Sequence, residues 1–145
     1  HLDLLLGSGL DVFSQNIETV KRLTHSVRDP RAGYKQTLKM LSHANEKGFV
    51  SKSGMMLGLG EEKDEVIETM KDLHENGVKI LTLGQYLRPT INHLPVKNYI
   101  HPDEFSEYSH IGKKIGLEEV VAGPLIRSSY RADKTFMKLE ESKNA

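Results

Sequence analysis

The sequence predicts a parallel α/β fold, and within that class half of a (β/α) barrel. Three observations carry this. Short apolar runs closed by glycine or polar turns alternate with stretches of helical periodicity, one cycle taking roughly 30 to 40 residues, which is the pattern of parallel strands joined by right-handed crossovers. A closed barrel typically needs about 250 residues, and 145 are present, which leaves a small open sheet or a half barrel. The chain also opens on His1-Leu2-Asp3-Leu4-Leu5-Leu6-Gly7, which reads as the last turns of an apolar-faced helix with no cap and no initiator methionine. That abrupt start favours the half barrel, as a piece of a longer protein.

Asp11 to Ser14 is a short candidate strand, with polar Gln15 and Asn16 just beyond it. Ile17, Val20, Leu23 and Val27 recur at helical spacing and predict a helix. Arg28-Asp29-Pro30-Arg31 interrupts it, because proline disfavours helix at the residue before it and opens a new one after it. Tyr34, Leu38, Leu41 and Ala44 form the stripe of the next helix, which Gly48 ends. Phe49 to Leu57 is the second strand, and a helix from Asp64 to about Asn76 follows, with Val66, Ile67, Met70 and Leu73 on one face and Gly77 as its stop. Val78 to Gly84 is the third strand, followed by an irregular stretch through Val96. Pro102 suits the first turn of a helix carrying Phe105, Tyr108, Ile111 and Ile115, and Leu117 to Ala122 is the fourth strand. Gly123-Pro124 breaks it. Residues 1–133 read as one domain and 134–145 as a polar C-terminal tail.

Composition narrows the function classes. Formal net charge is zero, which gives no electrostatic reason to expect nucleic acid or an anionic membrane as partner. No apolar run is long enough to span a bilayer. There is no cysteine, hence no disulfide framework and no thiolate metal site within these residues. The seven histidines are scattered without a His-x-x-x-His pair, which argues against a histidine metal site.

The stretch Ser53-Gly54-Met55-Met56-Leu57-Gly58-Leu59-Gly60-Glu61 is a buried strand that stops at a glycine turn and hands over to a helix. Two glycines allow a phosphate cradle, but Glu61, Glu62, Asp64 and Glu65, opposed locally only by Lys63, would repel an anion. A capped helix and a site for an uncharged or cationic group both remain open. Parallel α/β folds bind ligands at the C-terminal ends of their strands. Those positions here are Asn16 and Glu18; Gly58, Gly60 and Glu61; Gln85, Tyr86 and Arg88; and Arg127, Ser128, Ser129 and Tyr130. Asn16 equally suits the cap of the helix that follows and Glu18 its dipole, whereas Arg28 and Arg31, on these residues alone, read first as surface ion pairs.

Several segments together resemble the lipoyl synthases of the radical S-adenosylmethionine superfamily. They are Phe13 to Thr19; Val27-Arg28-Asp29-Pro30-Arg31-Ala32-Gly33-Tyr34; Lys52-Ser53-Gly54 through Glu61; Leu83-Gly84-Gln85-Tyr86-Leu87-Arg88-Pro89-Thr90 with His93-Leu94-Pro95-Val96; and Gly123 through Arg127-Ser128-Ser129-Tyr130. The Arg-Ser-Ser-Tyr and Gly-Gln-Tyr-x-x-Pro segments are specific to that family, whereas the glycine turn is shared across the superfamily.

The resemblance implies the C-terminal half of a partial radical SAM (TIM-like) barrel. It implies S-adenosylmethionine and two 4Fe-4S clusters as cofactors of the complete enzyme, an electron donor, and an octanoylated lipoyl domain or H protein as partner. It implies a cytoplasmic, mitochondrial or plastid location, and the charge balance and lack of a spanning run add the expectation of no nucleic acid and no membrane. Asn16 and Glu18 are then expected at the cofactor ribose, Arg28 with Arg31 as second at its carboxylate, and the Gly58–Glu61 turn at the adenine, with Ser53, Gln85 and Tyr86 in the same cofactor-binding set. Arg88 and Arg127 are expected at the substrate. Ser129, with Ser128 as second choice, is expected to bind iron of the auxiliary cluster. The cluster cysteines lie upstream in the family and are absent here, so these residues are expected to be inactive alone. A biotin synthase-like sulfur-inserting enzyme and a non-catalytic partner-binding module are the competing readings.

Overall fold

The computed structural model describes residues 11–27 and 33–126. Its centre is a sheet of four strands, β1 (Val12–Ser14), β2 (Val50–Leu57), β3 (Val78–Gln85) and β4 (Glu119–Ala122), in the order β1-β2-β3-β4 with every neighbouring pair parallel. Helices α1 (Thr24–Val27, entered through a 3-10 turn at Lys21–Leu23), α2 (Tyr34–Glu46), α3 (Lys63–Glu75) and α4 (Pro102–Ile115) occupy the crossovers. Doubly wound sheets reverse their strand order at a switch point, whereas a barrel adds each strand beside the last. The sequential order is that of a barrel segment.

Alternation along the strands separates two faces. Met55 and Leu57 of β2 pair in register with Leu83 and Gln85 of β3, and Leu81 with Val120 of β4. Met55, Leu57, Leu81, Leu83 and Val120 share one core with Tyr34 and Leu41 of α2, Val66, Met70 and Leu73 of α3, and Phe105 and Tyr108 of α4. The helices therefore cover one side of the sheet. The opposite face carries Lys52, Gly54, Met56, Thr82 and Gly84, more polar and with two positions lacking side chains. Among the described residues no helix is long and apolar enough to cross a membrane.

Helix ends follow their local sequence. Pro102 enters the first turn of α4, where His101 Nδ1 accepts from the Asp103 N–H at 3.0 Å, and Lys113 and Lys114 sit in the last turn near the negative end of the dipole. Predicted and observed boundaries of β1, β2, β3, α3 and α4 agree within one residue, and β4 begins two residues later than predicted.

The helix predicted from Ile17 to Val27 is corrected in its first part: helical structure begins only at Lys21 and runs to Val27. Glu18 adopts φ of +72°, a left-handed conformation that no helix contains. Its N–H donates to Gly54 O and its carbonyl accepts from Met56 N–H, so the chain resumes pairing with β2 beyond the end of β1. Ile17 and Val20 are buried, but from an extended segment. Their helical spacing is coincidental, because long-range pairing to β2 outweighs local periodicity.

Candidate functional site

The C-terminal ends of β1, β2 and β3 converge, and the glycine turn after β2 lies between the other two. Gly58 and Gly60 both take φ of +105°. That geometry turns successive backbone N–H groups toward one point, forming an anion-binding nest. The nest is already filled: the Glu61 carboxylate folds back and accepts from Gly58 N–H at 2.9 Å and Leu59 N–H at 3.0 Å. The turn is thus closed to phosphate by an internal anion, a more specific cause than general repulsion by the acidic helix start.

Gly58 is also crowded from behind. A Cβ there would lie 2.4 Å from Gln85 Nε2 and 2.6 Å from the Asn98 carbonyl oxygen. Gln85, at the end of β3, is buried, and its amide oxygen accepts from Ile100 N–H at 2.8 Å. Its amide nitrogen donates to Tyr86 O and Asn98 O at 3.0 and 3.1 Å. Lys97 N–H in turn donates to Gly58 O at 2.8 Å. Residues 97–100 form a strap across the back of the turn, and Gln85 fastens it.

A third group reaches the turn from the segment after β1. Arg22 donates from Nε and an NH2 group to the two oxygens of Glu65, at 2.8 and 2.9 Å, and from NH2 to Gly60 O at 2.9 Å. Glu65 also accepts from Glu62 N–H at 2.9 Å, half of a capping box at the start of α3. The Arg22 hydrogen bond, and then the Glu62 N–H, hold the Glu65 carboxyl below its ordinary range. The acidic cluster is therefore not opposed by Lys63 alone, as local sequence implies. Lys63 instead pairs with Glu107 of α4.

The other expected site residues fall as follows. Asn16 and Glu18 lie partly buried on the segment after β1. Ser53 is fully buried, and its Oγ accepts from Ile17 N–H at 2.9 Å, so it holds that segment in place. Tyr86 is partly buried and donates to Leu94 O at 2.7 Å; exposed Arg88 donates from Nε to His93 O at 2.8 Å. Both organise the loop after β3, where Thr90 Oγ1 and His93 Nδ1 share a hydrogen bond of 2.8 Å. A cavity of about 290 Å³ opens between Val27, Leu59, Tyr86, Leu94 and Pro95. Arg28, Arg31, Arg127, Ser128, Ser129 and Tyr130 lie outside the described residues. Among the described residues no group of three or more acidic or histidine side chains is arranged to hold a metal ion.

Arg22 and the strap are the components that sequence reading misses. Arg22 meets Glu65 and Gly60 across 43 and 38 residues, and an arginine in a helix-like pattern carries no mark of such a partner. The glycines at 58 and 60 are the visible half of the arrangement.

Residues 1–73 match the Radical SAM superfamily. The chain is similar to a lipoyl synthase of Marinobacter nauticus, with 58% identity over 139 residues that make up 94% of this chain and 40% of that protein. It is 54% identical over 138 residues to a lipoyl synthase of Thermus thermophilus, covering 94% of this chain and 43% of the relative. It is 55% identical over 139 residues to lipoyl synthase 1, chloroplastic, of Populus trichocarpa, covering 94% of this chain and 37% of the relative. The chain spans about two fifths of the length of the curated relatives it matches.

Proposed function

The chain belongs to the radical SAM superfamily, and from that membership we propose that it forms one part of the cofactor and substrate site of a lipoyl synthase. The proposed reaction is radical S-adenosylmethionine-dependent insertion of two sulfur atoms into an octanoyl chain borne by a lipoyl domain or H protein, with an external electron donor. Identity with lipoyl synthases along nearly the whole chain carries this reading.

The residues present fit S-adenosylmethionine better than a nucleotide. Glu61 occupies the backbone donors that a phosphate would need, and the acidic surroundings suit a sulfonium cation. Asn16 and Glu18 are assigned to the ribose hydroxyls and the Gly58–Glu61 turn to the adenine. Ser53 and Gln85 serve the same site through the backbone they hold, beside Tyr86. Arg28, with Arg31 second, is assigned to the cofactor carboxylate, and Arg88 and Arg127 to the substrate. The sequence has no cysteine, so its own residues do not complete a 4Fe-4S site, and any thiolate ligation has to come from outside these 145 residues. Ser129, or Ser128, is the oxygen ligand this chain would add to an auxiliary cluster.

Titration calorimetry of the chain with S-adenosylmethionine tests the site. Asn16→Ala and Glu18→Gln should each weaken binding by about tenfold, and unchanged affinity in both would overturn the assignment. Incubation with iron and sulfide should give neither a stable 4Fe-4S chromophore nor cofactor cleavage. Obtaining both would overturn the view that these residues are inactive alone.

A further inference from the structure

Arg22 makes three convergent hydrogen bonds from a side chain that is 54% exposed. Exposed ion pairs add little to stability, because solvent screens them and two long side chains must be ordered. Stability therefore does not explain the arrangement, and its geometric consequence has to be considered. The segment after β1 is anchored where Glu18 pairs with Gly54 and Met56. Four residues later Arg22 crosses to the next strand end and takes hold of both the carbonyl of the glycine turn and the first turn of α3. A guanidinium suits this task, since its planar fork fixes two bonds to one carboxylate in a single orientation.

We propose that Arg22 is a positioning residue that sets the separation between two walls of the ligand site, Asn16 to Glu18 on one side and Gly58 to Glu61 on the other. The role rests on the cofactor reading given above. Arg22 touches neither the ribose nor the adenine. It acts on any ligand that must contact both walls together, and leaves unaffected a ligand that contacts only one. The low-lying Glu65 carboxyl keeps its negative charge throughout the neutral range, so the brace is intact there.

Ligands of two lengths separate positioning from general loosening. S-adenosylmethionine spans both walls, whereas free adenine meets only the glycine turn. In Arg22→Ala, the affinity for S-adenosylmethionine should fall about tenfold while that for adenine, followed by NMR, stays unchanged. Arg22→Lys, with a single point donor, should recover part of the loss. Glu65→Gln should weaken binding as Arg22→Ala does, and the double variant should be no weaker than either single one, since both remove the same brace. Unchanged S-adenosylmethionine binding in Arg22→Ala and Glu65→Gln would overturn the proposal, as would parallel loss of adenine and S-adenosylmethionine. An unsubstituted chain that binds neither ligand would overturn the cofactor reading and this role with it, an outcome distinct from binding that ignores Arg22.

Discussion

The two ends of the sheet use the same backbone device for different purposes. At the N-terminal ends of the strands, α2 leads into β2, α3 into β3 and α4 into β4 through residues 47–49, 76–77 and 116–118. At the C-terminal ends the chain leaves the strands through 15–20, 58–62 and 86–101. Gly77 below and Gly58 above both have positive φ, +84° and +105°. Their neighbours differ. A Cβ on Gly77 would meet the side chain of Asn45, at 2.4 Å from Nδ2, whereas one on Gly58 would also meet the Asn98 backbone oxygen. A side chain can rotate away, but a carbonyl held in a strap cannot. The lower turn needs glycine for its conformation, while the upper one needs it for conformation and for close approach between two pieces of backbone.

Gly58→Ala should therefore be the most damaging single methyl in either set of turns. Left-handed strain and overpacking against fixed backbone together cost about 2 to 4 kcal/mol. Urea denaturation reads the stability loss, and S-adenosylmethionine affinity of the folded fraction should fall as well. Gln85→Leu comes next. It leaves the Ile100 N–H without its acceptor in a buried position, at a cost of about 2 kcal/mol. Amide exchange at Ile100 and Lys97 should accelerate more than exchange in the core of α3. Gly77→Ala should cost about 1 to 2 kcal/mol through backbone strain, with ligand affinity unchanged. Adding Asn45→Ala should recover the part that comes from side-chain overlap. Equal effects of Gly58→Ala and Gly77→Ala on ligand binding would break the distinction between the two ends.

Legibility in the sequence follows the same division. Turns below, and the helices they end, are local: Gly48, Gly77 and Gly116 stand where the helical stripes stop, and the boundaries are readable. Strand ends above are readable as places, because apolar runs give way to polar residues there. What holds them is not readable. Glu61 returning to Gly58 spans three residues and is nearly local, so the acidic turn is seen to refuse anions, although the occupied nest is not foreseen. Gln85 to Asn98 and Ile100, Arg22 to Glu65, and Ser53 to Ile17 cross 13 to 43 residues, and single-chain patterning carries no such pairing. Only the start of the segment after β1 fails, and for a related reason: around Ile17 to Val20 the spacing imitates a helix while the partner, β2, lies about forty residues ahead, and helix follows from Lys21.

The smallest expected effect separates the ion pairs of the two ends. Above, the Glu65 carboxyl lies below its ordinary value of 4.5 chiefly because Arg22 donates to it. In the unfolded chain it returns to that value, so in the interval between the two the unfolded state binds the proton more readily. Its contribution to stability is therefore complete above about 4.5 and is lost as pH falls through the lower folded value. Arg22→Ala should raise the folded value toward the ordinary one, leaving only the depression from Glu62 N–H, and so shrink the acid-side loss. A carboxyl-carbon NMR titration of Glu65 reads the shift directly, and the urea midpoint between acid and neutral pH reads its small consequence. Added salt should weaken both. Below, Lys79 and Glu118 approach only to 4.0 Å with both side chains well exposed, and Lys79→Ala should leave the urea midpoint where it is. A Glu65 titration that ignores Arg22 would reduce the upper pair to the standing of the lower one. A shifted titration with ligand affinity intact would keep the ion pair and remove its part in the site.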